Sequence, residues 1–201
     1  DTTGNTVDST VTVGNTAPVL ASVSIDPQSV YDGDTVTCNP GQVTDVDNDT
    51  NFSYTFAWNK NGVVLAGVTT QTLSSVYFAR DDILTCSVTP SDGMDSGNSV
   101  LSAPVIVLNT APTLSSANIL PSSAQIGETL SCTAIGSNDV DGDTVTVATT
   151  WYVNGSLVST NSSLSSGFVG GETVRCELRP YDGINYGSVY DSEIIVQNTV
   201  P

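Results

Sequence analysis

The sequence predicts an all-β chain, and two observations carry that prediction. Short alternating runs rich in β-branched residues recur, as in DTVTC, ILTCSV, ETVRCEL and EIIVQ, while no ten-residue stretch shows a helical period of apolar residues. The chain also aligns on itself. GDTVTC (33–38) matches GETLSC (127–132), WNKNG (58–62) matches WYVNG (151–155), and DDILTCSVTPSDG (81–93) matches GETVRCELRPYDG (171–183). Such self-similarity at a period of roughly 90 residues marks tandem copies of one unit.

NTAP at 15–18 and 109–112, and NTVP at 198–201, punctuate the copies. The expected organisation is therefore a first repeat over 15–108 and a second over 109–201. Residues 4–18 overlay 187–201 without a gap, so residues 1–14 read as the last strand of a preceding repeat. Such an orphan strand frays or pairs with a neighbouring copy. The chain starts at Asp1 and shows neither a signal peptide nor an apolar run long enough to cross a bilayer, so it is expected to be a segment of a mature or longer protein.

Charge narrows the partners. Twenty-one acids stand against four Lys plus Arg and no His, a formal net charge of -17. A surface of that sign repels phosphate backbones and anionic membranes, so no nucleic acid is expected; it favours solubility and attracts cations. The acids are interspersed with strand patterns and four cysteines, which sets the chain apart from a disordered acidic tail.

Each repeat carries a Cys, a Trp about twenty residues on, and a second Cys: Cys38, Trp58 and Cys86, then Cys132, Trp151 and Cys176. Each Cys lies in an alternating strand, so Val36, Leu84, Val88, Leu130, Val174 and Leu178 share its face. Asn-Gly three residues after each Trp reads as a tight hairpin. This order resembles the immunoglobulin fold, in which an intersheet disulfide packs on a buried Trp. The resemblance covers both repeats and implies two tandem immunoglobulin-like β-sandwiches with Trp58 and Trp151 in their cores. The chain departs from the family at the corner Tyr, where Leu84 and Val174 stand instead.

Four cysteines allow three pairings. The repeat, taken with the resemblance, selects Cys38–Cys86 and Cys132–Cys176; buried free thiols are the alternative, and zinc is disfavoured without His or a close Cys pair. Paired cysteines imply an oxidising setting, outside the cytoplasm or at the cell surface.

The immunoglobulin pattern puts strands A near 19–26, B near 34–40, C near 52–60, F near 83–90 and G near 99–108, and in the second repeat strands near 128–134 and 145–153. DVDNDT (Asp45, Asp47, Asp49) and DVDGDT (Asp139, Asp141, Asp143) then fall in the B–C loops. Asp92 and Asp182, in the F–G loops, belong to the same pole. So do Asn15 and Asn109 of the NTAP stretches. Carboxylates and amide oxygens clustered at one pole suit Ca²⁺, which takes six to eight oxygens in irregular geometry; Mg²⁺, with its tighter octahedron, is second choice. An EF-hand is excluded, because Thr50 and Thr144 stand at its sixth position and Phe56 and Thr150 at its twelfth. The arrangement looks like the cadherin linker instead, although NTAP lacks the acids that precede that linker and cadherins lack this disulfide. An ion held by one domain is therefore favoured over a bridging ion. The competing reading is a solvated turn, since Asp, Asn and Gly bond their own backbone there.

No catalytic set is present. Without His, a Ser-His-Asp or Cys-His pair is impossible, and paired carboxylates in symmetric loops suggest no cleft. Tyr31, Tyr77, Tyr181, Tyr186 and Tyr190 could stack on sugars, but strand-face packing is the plainer expectation. Asn48, Asn51, Asn154 and Asn161 fall in N-x-[ST] sequons.

Together these features resemble the tandem immunoglobulin-like repeats of large secreted or surface proteins of bacteria, adhesins and filaments among them. The resemblance implies a spacer stapled by disulfides, stiffened by Pro18 and Pro112 and rigidified by calcium. Its partners would be neighbouring repeats of the same protein, with self-assembly through strand 4–14. The alternative is a calcium-dependent module that binds a carbohydrate or a protein.

Overall fold

A computed structural model describes residues 9–198. Strands dominate it, and the only helical element among those residues is a 3-10 turn at Ser75–Tyr77. Two compact units emerge. The first takes in residues through Val30, Asp34–Phe78 and Asp82–Ile106, and the second takes in Tyr31–Gly33, Ala79–Asp81 and everything from Val107 onward.

Between residues 19 and 108 one sheet pairs Val23–Asp26, Thr35–Pro40 and Thr72–Ser74. The facing sheet has Ser53–Lys60 and Ile83–Ser91 at its centre, with Val63–Val64 outside the former and Val105–Leu108 and Val30–Tyr31 beyond the latter. The expected strands are largely present, but two are split. The first is interrupted between Leu20 and Val23, and the last between Leu101 and Val105, where Pro104 has no N–H to give a ladder.

The second unit repeats the plan. Ser116–Leu120, Leu130–Ile135 and Ser163–Leu164 make one sheet; Ser156–Ser159, Thr146–Val153, Thr173–Tyr181 and Tyr190–Ile195 make the other. These are immunoglobulin-like sandwiches with apolar residues buried between their sheets.

The register explains the core. Trp58 stands opposite Cys86 and Trp151 opposite Cys176 on antiparallel neighbours. Disulfides join Cys38 to Cys86 and Cys132 to Cys176, with Cα atoms 6.2 and 6.3 Å apart, and so link the two sheets of each unit. Both Trp side chains are fully buried, as are Val36, Leu84, Val88, Leu130 and Val174. Each such aliphatic residue contributes roughly 1.5–3 kcal/mol on burial. The buried indole N–H groups are satisfied, donating to the backbone carbonyls of Thr70 and Asn161, both at 3.0 Å.

The two Asn-Gly pairs form matching hairpins. Asn61 and Gly62 have φ of 52° and 78°, Asn154 and Gly155 of 49° and 80°, the left-handed pair that a two-residue turn requires.

Residues 9–14 lie in no strand, and Val11 and Val13 are 86% and 83% exposed. The remainder of the expected orphan strand, residues 4–8, is outside the described residues. No helix of the described residues is long and apolar enough to cross a membrane.

Candidate metal centres

The loop after Thr35–Pro40 and the loop after Ile83–Ser91 meet at one pole of the first unit, and those after Leu130–Ile135 and Thr173–Tyr181 meet at one pole of the second. In the first unit, carboxylate oxygens of Asp45, Asp49 and Asp92 lie within 4.8 Å of one another; in the second, those of Asp139, Asp143 and Asp182 do. Carboxylate oxygens no farther apart than this can share one Ca²⁺ ion with bonds of about 2.4 Å.

The backbone shapes each triplet. Asp45 Oδ1 accepts from the Asp47 N–H at 2.7 Å, and Asp139 Oδ1 accepts from Asp141 and Asp143 N–H at 2.9 and 3.3 Å. These turns consume one oxygen of the leading Asp and leave the other. Asp45 Oδ2 and Asp139 Oδ2 are buried without a hydrogen-bond partner among the described residues. A buried carboxylate oxygen with no donor calls for a cation or a water.

The middle acids have a different task. Asp47 Oδ2 accepts from the Thr16 N–H and Asp141 Oδ2 from the Thr110 N–H, both at 2.6 Å. Expected as ligands, Asp47 and Asp141 thus fall outside the close triplets and clasp the NTAP backbone. Asn15 and Asn109 likewise turn their NH₂ groups toward carboxylates. Asn15 donates to Asp92 at 3.0 Å and to Asp95 at 2.8 Å; Asn109 donates to Asp182 at 2.8 Å. They hold ligand candidates in place by their nitrogen ends.

Asp92 and Asp182 each cap their own loop. Asp92 Oδ1 accepts from Met94 and Asp95 N–H at 2.7 Å, and Asp182 Oδ1 from Ile184 and Asn185 N–H at 2.6 Å. The hydrogen bond from Asn15, helped by those backbone donors, holds the Asp92 carboxyl below its ordinary value. At Asp182, only 8% exposed, burial pushes upward, but the donations from Asn109 and the loop backbone outweigh it and the carboxyl also sits low. Both acids therefore stay ionised at neutral pH.

Close backbone packing brings the NTAP stretch to this pole. A Cβ at Gly97 would collide with the Pro18 carbonyl oxygen, and one at Gly187 with that of Pro112. In the first unit Asn98 adds a two-point clamp, accepting from the Leu20 N–H at 2.9 Å and donating to the Leu20 carbonyl at 3.2 Å.

Thr16, Thr110, Asp95 and Arg80 were not among the residues expected at these sites. The two threonines act through backbone N–H groups, which no side-chain pattern announces. Arg80 had a visible signal, as one of four basic residues in a chain of net charge -17. It bonds Asp143 through Nη1, reaches Asp143 Oδ1 with Nη2 at 3.3 Å, and donates to Asn109 Oδ1 at 2.8 Å. The hydrogen bond to Asp143 raises the Arg80 pKa further above its ordinary value, against the opposing effect of burial.

The tyrosines divide. Tyr31, Tyr77 and Tyr186 are exposed, whereas Tyr190 packs against the small core cluster of Leu114, Ala117 and Leu178. Tyr181 and Tyr186 stack at 4.4 Å, and the Arg179 guanidinium sits 4.7 Å over the Tyr186 ring, so these aromatics largely engage each other. The four sequon asparagines are all exposed.

No family model matches the chain, and no curated protein matches it significantly. Solved structures align along most of it at low identity. The chicken interferon gamma receptor alpha chain aligns at 8% identity with a TM-score of 0.48, covering 92% of this chain and all of that one. A two-domain fibronectin type III segment of chicken tenascin aligns at 7% identity and TM-score 0.42 over 90% of this chain and all of that one. Three N-terminal domains of the Hoc outer capsid protein of bacteriophage RB49 align at 16% identity and TM-score 0.33, covering 91% of this chain and 59% of that one.

Proposed function

We propose that the chain is a structural or adhesive segment of an extracellular or cell-surface repeat protein. Each sandwich acts as a disulfide-stapled spacer, and calcium fastens the stretch entering the unit to the loops beside it. The observation that carries this reading is duplication of a whole arrangement. In both units a carboxylate triplet, an Asn donating to its F–G acid and a middle Asp holding the NTAP backbone occur together. A solvated turn has no need of a buried, partnerless oxygen, yet Asp45 and Asp139 each keep one.

In this reading Asp45, Asp49 and Asp92 hold one ion and Asp139, Asp143 and Asp182 another, with water completing the shell. Bound calcium screens the repulsion among the acids. Because Asn15 bonds the ligand Asp92 and Thr16 bonds Asp47 in the same loop as Asp45 and Asp49, it also stiffens the path of the chain into the unit. A function without chemistry agrees with the absence of His and with disulfides in both units.

Thermal unfolding of the non-reduced chain in EDTA and in about 2 mM Ca²⁺ tests it, that concentration being above the roughly 10⁻⁴–10⁻³ M affinities of extracellular modules. The expected result is a higher Tm in calcium that Asp45→Asn plus Asp139→Asn abolishes. An identical Tm in both buffers would leave a spacer held by its disulfides alone.

A second reading has one observation behind it. A shallow, open pocket lined by Asn51, Phe52, Ser53, Ser91, Asp92 and Gly93 adjoins the first triplet and shares Asp92 with it. A calcium-dependent carbohydrate- or protein-binding module would use that pocket, and it predicts ligand-dependent protection of the Gly93 amide.

A further inference from the structure

The two triplets are alike in carboxylates and unlike in counter-charge. Around the first stand Asp45, Asp47, Asp49, Asp92 and Asp95, and among the described residues no basic side chain pairs with any of them. The four basic residues of the chain are all placed elsewhere: Lys60 pairs with Asp82, Arg175 with Glu177, Arg179 lies over Tyr186, and Arg80 is in the second unit. Around the second triplet the count of acids drops, because Asn185 stands where the first unit has Asp95. Arg80 then adds a positive charge.

The placement of Arg80 is specific. Its guanidinium engages both oxygens of Asp143, Oδ2 through Nη1 and Oδ1 through Nη2, and Nη1 lies 3.9 Å from Asp141 Oδ2. A forked donor of this kind fixes a carboxylate in its plane and leaves it little freedom to turn toward another cation. In the first unit no hydrogen bond among the described residues engages the Asp49 carboxylate, the counterpart of Asp143. Yet Arg80 does not satisfy its surroundings. Asp141, with a side chain only 1% exposed, keeps Oδ1 without a partner among the described residues, and Asp139 Oδ2 and Thr110 Oγ1 likewise have none there. One planar monovalent cation cannot reach all of these oxygens.

We propose that Arg80 is a built-in competitor for calcium at the second site. It takes one of the three carboxylates there, so that the Asp45, Asp49 and Asp92 site binds calcium more tightly than its duplicate. This rests on the calcium reading above. Arg80 is a local exception in the repeat, since the matching position of the second copy is Gly170. A Cβ at Gly170 would collide with Asn198, the counterpart of the Asn109 that Arg80 bonds.

Residue-resolved NMR titration of the intact, non-reduced chain with CaCl₂ separates the two sites, with the Gly93 amide reporting on the first and the Gly183 amide on the second. In the wild type Gly93 saturates at lower calcium than Gly183. Arg80→Gln tightens the Gly183 response about five- to tenfold, as loss of a competing charge near 4 Å implies, and leaves Gly93 unchanged. Arg80→Lys, which cannot fork across Asp143, falls between the two and guards against a folding defect in the first variant. An Arg80→Gln chain whose Gly183 midpoint stays put or weakens, while Gly93 still titrates, overturns the competitor role and spares the calcium reading. No response at either glycine, in wild type and variant alike, overturns both.

Discussion

Asn15 and Asn109 show how much a single side chain does at each pole. Each donates to the F–G carboxylate of its unit, and at Asp92 that bond is the largest cause of the lowered pKa. The sign of the pH effect follows. A carboxyl whose folded pKa lies below its unfolded value adds stability above that unfolded value, 3.8 here, and loses it as pH falls through the folded value. Asn15→Ala, measured in EDTA, is therefore expected to lower Tm by its full amount above about pH 4. The difference from wild type should shrink below that pH. A difference that stays constant down to about pH 2 would mean that Asn15 acts by packing alone. The buried Trp residues set the other extreme at this scale. Trp58→Ala removes the largest core side chain and its hydrogen bond to Thr70, and about 3–5 kcal/mol of stability should go with it, read from urea unfolding.

At the scale of elements, the decisive contact is the one between the NTAP stretch and the glycines that close the F–G loops. Gly97 and Gly187 leave no room for a side chain beside the carbonyls of Pro18 and Pro112. Gly97→Ala must push that stretch outward, away from the hydrogen bonds that Asn15 and Thr16 make with the acidic loops. The expected result is a loss of about 1–3 kcal/mol and a weaker response of Gly93 to calcium. Gly14→Ala, in open surroundings, is the matched control and should change neither. The central strands behave differently. Their eight-residue pairing, Ser53–Lys60 with Ile83–Ser91 and Thr146–Val153 with Thr173–Tyr181, joins strands distant in sequence, while the hairpin turns lead from Ser53–Lys60 to Val63–Val64 and from Thr146–Val153 to Ser156–Ser159.

For the whole molecule the disulfides dominate. Each closes a long loop, with sequence separations of 48 and 44, and each joins the two sheets of its unit. On the chain-entropy account a loop of that size contributes about 4 kcal/mol. Replacing Cys38 and Cys86 together by Ala should lower the unfolding free energy of the first unit by about that amount and leave the second nearly unchanged. Urea unfolding followed at one Trp per unit, with the other changed to Phe, would resolve the two. Equal losses in both units would instead tie their stabilities together.

The sequence by itself determined the architecture. Period-two strands, Asn-Gly hairpins, the Cys, Trp, Cys order and the internal repeat all act locally or through duplication, so they are legible without coordinates. Asp45, Asp49, Asp92 and their duplicates were legible in the same way, because loops on one end of a sandwich are brought together by strand order alone. What only the tertiary structure decided is the division of labour among them. Asp47 and Asp141 alternate with the ligand candidates in sequence, yet they bond the backbone of a stretch 31 residues earlier. Arg80 lies 63 residues from Asp143, and nothing in its own neighbourhood signals that partner. Side-chain direction in a loop depends on which donors the fold brings near it, and those donors come from distant parts of the chain. Composition told that cations were scarce; packing chose the one place among the acidic loops where the chain supplies its own.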